Sequence, residues 1–309
     1  MATEATRILL VHQGKASLPE LVAYRDHFQN RGYQCRAITW DRLHRDQALP
    51  DTVLWLFMGL YPHNYRAGFV VHDYRSLSTG RLPRLKDRVK RRFNGKPDLR
   101  VFLNPGVRDA LDFRDGIPST LIDMGIPDSL WAYRAPVPPA FDFVYVGDVS
   151  RERASDRMIE RFLARYGDRR SLLLVGPCEP AIRNRFQDRA NLHFAGRLPQ
   201  EQVFAQVQRA DIGLCFIPDR YPYSLQTPTK LLEYAALGRR IVANDLASTR
   251  EAAERLGIRL RLMAGYGFPP EAELATLEDN RHLDPTSLSW ERAIRTAGLE
   301  RYLPPCARA

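Results

Sequence analysis

The densest set of ligand-type side chains lies in the stretch Tyr221-Pro-Tyr-Ser-Leu-Gln-Thr-Pro-Thr-Lys-Leu-Leu-Glu-Tyr-Ala-Ala-Leu-Gly-Arg-Arg-Ile-Val-Ala-Asn-Asp245. Thr227 and Pro228 read as the N-cap and first residue of a helix that ends at Gly238. The start of a helix presents free backbone amides and a partial positive charge, which suit a phosphate group. Lys230 adds a full positive charge beside them. Glu233 follows one turn deeper, where a carboxylate can accept hydrogen bonds from a vicinal diol such as a ribose. The same spacing equally describes a Lys–Glu pair on a solvated helix, and spacing alone leaves both readings open.

The elements that would position these residues alternate regularly. Ile8 to His12, Cys35 to Trp40, Val53 to Phe57, Phe69 to His72 and Leu99 to Leu103 are apolar runs of strand length. Ser17 and Pro19 open a helix through about Arg31, stopped by Gly32. A proline-rich stretch, Ala135 to Pro139, reads as a stiff linker. Beyond it the alternation restarts, with strands at Phe141–Val146, Leu172–Val175, Leu192–Ala195, Ile212–Ile217 and Arg240–Ala243, and helices at Arg153–Tyr166 and Pro199–Arg209. The pattern predicts an α/β protein of two Rossmann-like domains, residues 1–137 and 138–286, with a terminal helix near 287–303 returning to the first. In such folds ligands bind beyond the carboxyl ends of strands, so a cleft between the domains is the expected site. Gly147, Gly176 and Gly196 each follow a strand, where they either let a ligand approach or simply turn the chain.

Composition narrows the function classes. The chain has 309 residues, 44% hydrophobic and 27% charged, with a net charge of +10 that favours anionic partners. No apolar run reaches the roughly 18 residues of a membrane-spanning helix, and the first residues lack the apolar core of a signal peptide, so a cytoplasmic protein is expected. Cys35, Cys178, Cys215 and Cys306 are scattered without a CxxC, and no HExxH occurs, which argues against a disulfide framework or a zinc site. From Arg81 to Arg100 nine Lys or Arg residues surround Leu82, Leu85, Val89 and Phe93 at helical spacing. This is a basic amphipathic helix, read either as a docking surface for an anionic membrane or as a surface helix whose apolar stripe packs on its own domain. No nucleic-acid-binding module is visible.

The stretch "PTKLLEYAALGRRIVAND" resembles the sugar-nucleotide motif of family-4 (group 1) glycosyltransferases of the GT-B type, in the branch written P-T-K-L-x-E-Y. "FDFVYVGDVSRER", "LLLVGP", "NLHFAGRLPQEQVFAQVQRADIGLCFIP" and "SLSWERAIR" fall in the family's order. The resemblance is specific over about Phe141 to Glu251 and weak over the N-terminal half. It implies a transferase that moves a sugar from a nucleoside-diphosphate sugar to a hydroxyl of a glycan or lipid-linked acceptor, in cell-surface polysaccharide or glycolipid synthesis. It implies that Glu233 contacts the donor ribose, that Thr229 and Lys230 approach the diphosphate, and that Arg153, beyond Gly147, neutralises it. Gly196 and Arg197 match the loop bordering the nucleobase, and Tyr223 and Ser224 the backbone that reaches sugar and phosphate. His72 and Asp73, after the fourth strand, would face the acceptor, with Asp73 as general base in an inverting reaction or His72 as a positioning group in a retaining one. The bland alternative is that Asp73 caps a turn and His72 is a satisfied imidazole. Gly14 resembles the family's glycine turn, and Lys15 replaces its second glycine, where it would meet an anionic acceptor.

One departure stands out. The family's first glutamate, eight positions before the second, is Leu225 here. That absence motivates an alternative, a non-catalytic sugar-nucleotide-binding scaffold of a polysaccharide assembly complex. No Asp-x-Asp pair is present to hold a metal on a diphosphate, so metal-independent chemistry without any cofactor is expected, and nucleic acid is not an expected partner.

Overall fold

The computed structural model describes residues 7–14, 18–44 and 48–305. Lys15, Ser17 and Cys306, singled out above, lie outside them. The chain divides into two units, one of residues 1–127, 225–227 and 290–309, the other of 128–224 and 228–289.

The first unit is built on β1 (Arg7–His12), α1 (Pro19–Gln29), β2 (Gln34–Thr39), β3 (Leu49–Phe57), β4 (Ala67–Tyr74), α2 (Pro83–Phe93), β5 (Leu99–Phe102), α3 (Pro105–Leu111) and β6 (Ser119–Leu121). Its six strands are all parallel, in the order β2-β1-β3-β4-β5-β6. Alternation along the strands fills both faces with apolar side chains, as a parallel sheet requires. Ile8, Leu10, Val53, Trp55 and Val71 pack with Tyr24 and Phe28 of α1, while Leu9, Val11, Leu54, Leu56 and Val70 fill the other side.

The second unit comprises β7 (Phe141–Val146), α4 (Ser155–Tyr166), β8 (Leu172–Val175), α5 (Pro180–Phe186), β9 (Leu192–Gly196), α6 (Gln200–Gln208), β10 (Ala210–Cys215), α7 (Thr229–Ala236), β11 (Arg240–Asn244), α8 (Ala247–Leu256) and β12 (Arg261–Met263). Its parallel sheet has the order β12-β11-β10-β7-β8-β9. Counted within the unit, the strands run sixth, fifth, fourth, first, second, third, which is the doubly wound dinucleotide-fold order. The strand order reverses between β7 and β10, so the crevice at the carboxyl ends of those two strands is where such a sheet offers a binding site.

Two segments mark the boundaries of the units. Residues 128–137, read above with the first domain, group with the second unit. Arg134 Nη2 donates to the carbonyls of Arg281 and Leu283, at 2.6 Å each, and Gln208 Nε2 donates to the Ala135 carbonyl. The terminal helix is short, α9 (Trp290–Thr296), and packs in the first unit, where Trp290 meets Tyr24 edge-on and Ile294 enters the core. A Cβ on Gly125 would come within 2.6 Å of the Trp290 backbone, so the close approach of α9 depends on a glycine there.

Candidate functional site

The carboxyl ends of β7, β8 and β9 close with glycines that are stitched side by side. Gly147 N donates to Val175 O at 2.9 Å, and Gly176 N donates to Gly196 O at 2.8 Å. Gly147 and Gly176 hold φ of 142° and 141°, a region that L-residues with side chains rarely adopt. A Cβ on Gly176 would lie 2.0 Å from Gly147 O, so this row can be this tight only with glycine. Next to Gly196, Arg197 is exposed at the surface.

α7 covers the switch point between β7 and β10. Tyr234 is buried with its hydroxyl accepting the Val146 backbone N–H at 2.9 Å, and its ring sits where a Cβ on Gly213 would come within 2.5 Å. Gly213 thus lets α7 settle onto β10 while Tyr234 fixes it to the end of β7. The helix starts at Thr229, with Pro228 preceding it and no side-chain cap. The expected cap, Thr227, instead accepts a hydrogen bond on Oγ1 from Asn104 Nδ2, at 3.1 Å, within the first unit. The first-turn amides of α7 therefore stay uncapped by any side chain, and a helix start of this kind attracts anions.

From that first turn Lys230 reaches back to the glycine row. Its Nζ donates to Phe216 O at 3.3 Å and lies 4.0 Å from the centre of the Tyr145 ring. It is also 3.5 Å from where a Cβ on Gly147 would stand. The Phe216 carbonyl is held in place by its neighbour, because the buried Asn244 side chain brackets Ile217, accepting its N–H at 2.9 Å and donating to its carbonyl at 2.7 Å. Glu233, one turn along α7, is half-buried and meets no hydrogen-bond partner for its carboxyl group among the described residues. Burial pushes its pKa up to about 7, with Lys230 pulling in the opposite direction. Above about pH 7 the group is ionised, and its oxygens can then accept hydroxyl donors.

The loop after β7 carries further charged groups. Arg153 lays its guanidinium over the Tyr223 ring, 4.3 Å from the ring centre. The Tyr223 hydroxyl donates to Glu152 Oε1 at 2.7 Å, and Arg220 Nη2 donates to Glu152 O at 2.7 Å. Arg153, Glu152, Arg220 and Tyr223 thereby bind the 150s loop to the loop that precedes α7, and Ser224 follows directly. Gly147, Arg153, Tyr223, Ser224, Thr229, Lys230 and Glu233 all belong to this one unit. Tyr145, Glu152, Tyr234 and Asn244 were not singled out in the sequence. Tyr145 alternates with Gly147 along β7, a two-residue spacing that could have flagged it.

His72 and Asp73, expected above to face the acceptor or else to be structural, belong to the first unit. Both are at the end of β4, on opposite faces of the sheet, and both are enclosed, at 1% and 0% exposure. Asp73 Oδ2 accepts the Trp55 indole N–H at 3.0 Å. Burial raises its pKa to about 6 against the opposing charge of Arg75. His72 finds no hydrogen-bond partner for either ring nitrogen among the described residues, and burial together with the Arg100 cation lowers its pKa to about 3, so the imidazole is neutral. The reason is cover: Tyr24, Trp55 and Phe57 of the core close over the strand end on the Asp73 side.

Residues 140–275 match the family described as Glycosyl transferases group 1. The match lies almost wholly within the second unit, which carries the glycine row and α7. No protein of curated function matches the sequence. Among solved structures, AviGT4, a glycosyltransferase involved in Avilamycin A biosynthesis, is similar with a TM-score of 0.66 at 14% identity, covering 96% of this chain and 97% of that one. Sucrose-phosphate synthase from Thermosynechococcus elongatus gives 0.62 at 13% identity, over 96% and 98%. Anabaena Alr3699/HepE, in complex with UDP and glucose, gives 0.57 at 12% identity, over 96% and 95%. At these identities the likeness shows the fold alone, a two-domain Rossmann-like α/β fold.

Proposed function

We propose that this chain is a metal-independent glycosyltransferase that takes its sugar from a nucleoside-diphosphate sugar. The observation that carries the reading is the position of Lys230, beside Gly147 at the switch point of the second sheet and in the first turn of α7. The diphosphate would lie between the glycine row and that helix start, with Lys230 and Arg153 supplying the positive charge that a metal ion supplies elsewhere. The Glu233 carboxylate would accept both ribose hydroxyls. Gly196 and Arg197 would border the base, and the backbone of Tyr223 and Ser224 the sugar and phosphate. That the solved Anabaena structure holds UDP supports a nucleotide of this class.

In the reaction the bond from the anomeric carbon to the diphosphate oxygen breaks, and a bond to an acceptor hydroxyl oxygen forms. The hydroxyl proton leaves to a base or to the departing phosphate. Charge builds on the diphosphate as the sugar becomes oxocarbenium-like, so Lys230, Arg153 and the α7 amides act where charge develops. The acceptor in this proposal is a glycan or lipid-linked glycan of cell-surface polysaccharide or glycolipid synthesis.

Thermal-shift measurements with UDP, GDP, dTDP, ADP and CMP test the binding half, since a ligand of the folded state alone raises its stability. Release of nucleoside diphosphate from the matching sugar donor tests the chemistry. Binding without turnover against any acceptor pool would make the chain a sugar-nucleotide-binding scaffold instead. No shift with any nucleotide would reject both.

A further inference from the structure

α2 is turned against its own pattern. A helix advances roughly 100° per residue, so Leu82, Leu85, Val89 and Phe93 form one stripe along it. An apolar stripe of this kind normally faces the core. Here it faces outward: Leu82, Leu85 and Phe93 are 69%, 51% and 58% exposed. The residue that α2 buries is a carboxylate. Asp87, 3% exposed, accepts the Ser78 backbone N–H on both oxygens at 3.1 Å and pairs with Lys90 at 3.3 Å. The helix is thus anchored through its acid and displays its apolar side chains.

Two further observations show that the display is built rather than incidental. Leu82 immediately precedes the helix at φ 52°, a left-handed conformation that a branched residue adopts only at a cost. The strain holds an apolar side chain in water. The flanks of the stripe are cationic, with Arg81, Arg84, Lys86, Arg88, Arg91 and Arg92 all exposed. Arg91 pairs with Asp112, and Lys86 donates to the Thr79 carbonyl, but no acidic partner for Arg81, Arg88 or Arg92 occurs among the described residues.

We infer that α2 is a docking surface for an anionic lipid bilayer, on which Leu82, Leu85 and Phe93 enter the acyl boundary and the flanking arginines meet lipid phosphates. Charge complementarity selects this partner. A ridge of aliphatic and aromatic side chains between cations matches an interface that is apolar beneath and negative at its rim. A nucleic acid would reward the arginines and gain nothing from Leu82 and Leu85. The attachment is peripheral, since no helix among the described residues is long and apolar enough to cross a membrane. The inference is independent of the transferase reading, because it concerns a surface that needs neither donor nor acceptor.

Co-sedimentation of the full chain with vesicles tests it, using phosphatidylcholine alone and phosphatidylcholine with roughly a third phosphatidylglycerol. Binding is expected to the anionic vesicles only, and to weaken in high salt. The triple variant L82S/L85S/F93S and the double variant R88E/R92E should each lower the partition coefficient by about tenfold or more. All five side chains are exposed, so thermal melting should stay near that of the parent, and any variant that melts early is replaced by F93W, whose added emission should shift to the blue on anionic vesicles. Equal binding to neutral vesicles, or no binding at low salt, would overturn the inference. So would a triple serine variant that binds as well as the parent, because a purely electrostatic surface such as one for nucleic acid would then explain the charge.

Discussion

The ammonium group of Lys230 lies 3.5 Å from the point that a Cβ on Gly147 would occupy. Helix α7 and the end of β7 therefore meet here, and a methyl group on residue 147 would touch the cation. Gly147→Ala puts a methyl group there and forces alanine to φ 142°. We expect a loss of about 1–3 kcal/mol of stability from the backbone alone. Nucleoside diphosphate affinity should fall by at least about tenfold, or 1.4 kcal/mol. Calorimetry with the nucleotide that gives the largest thermal shift checks this, and an unchanged affinity would remove the diphosphate from the glycine row.

Glu233 gives a pH prediction with an unusual sign. Its pKa is raised in the folded state, from 4.5 to about 7. The folded protein therefore holds this proton more tightly than the unfolded chain, and the group favours folding most below about pH 4.5. That contribution is lost as pH rises to about 7, by an amount on the order of 2–3 kcal/mol. Glu233→Gln should accordingly raise the melting temperature near pH 8 relative to the parent and change it little near pH 4.5. The same variant should weaken nucleotide binding at pH 8, since a neutral amide makes a poorer acceptor for two hydroxyls. A variant with unchanged affinity would detach Glu233 from the ribose.

The sequence made the two sheets legible where strands are fully buried, as at Ile8 to Val11 or Leu172 to Val175, because a continuous apolar run in a parallel sheet has no other use. It did not reveal β6 and β12, which are three-residue edge strands with no fully buried residue. The start of α7 was legible from Pro228 and Lys230. The brackets around it were not, since Asn244 acts on Ile217 across 27 residues of sequence and Tyr234 on Val146 across 88. The periodicity of α2 announced two unlike faces, but periodicity is blind to which of them the fold buries, and that was decided by Asp87 and Ser78. Likewise a strand end could be assigned to His72 and Asp73, while the side chains that cover them come from elements not adjacent in sequence.

The seating of α7 can be tested apart from the ligand. A Cβ on Gly213 meets the Tyr234 ring at 2.5 Å, a distance that atoms do not tolerate. Gly213→Ala should cost about 1–3 kcal/mol by overpacking. Because the ring is the clashing partner, adding Tyr234→Leu should recover part of that loss while itself giving up the bond to Val146 N. A double-mutant cycle by urea denaturation measures the coupling. Strict additivity would mean that β10 and α7 move apart freely and that α7 is not fixed in this way.

Asp73 separates an enclosed structural group from a reacting one. Its pKa is raised to about 6, so it too favours folding below the ordinary carboxylate range and loses that contribution as pH rises through about 6. Asp73→Asn can still accept the Trp55 indole N–H through its amide oxygen and adds no charge. We expect the variant to fold, to gain stability near pH 8, and to keep turnover within about tenfold of the parent. A general base contributes about 100- to 10,000-fold, so a loss of that size at intact stability would return Asp73 to the reacting groups.

Arg153 is held as a flat ion over a flat ring, with Tyr223 fixed in turn by Glu152. In the proposed reaction a guanidinium preoriented in this way would lose little freedom on meeting a diphosphate, and its benefit would grow as charge accumulates on the leaving group. Arg153→Ala should therefore lower turnover by about 100-fold while changing donor affinity far less. Arg153→Lys should not restore it, because an ammonium cannot reproduce the planar stack or a forked contact. Tyr223→Phe keeps the ring and should cost only a few-fold, whereas Tyr223→Leu should approach Arg153→Ala. Steady-state kinetics on the four variants decides the matter: equal losses in affinity and turnover for Arg153→Ala would make the residue a binding contact that gains nothing in the transition state.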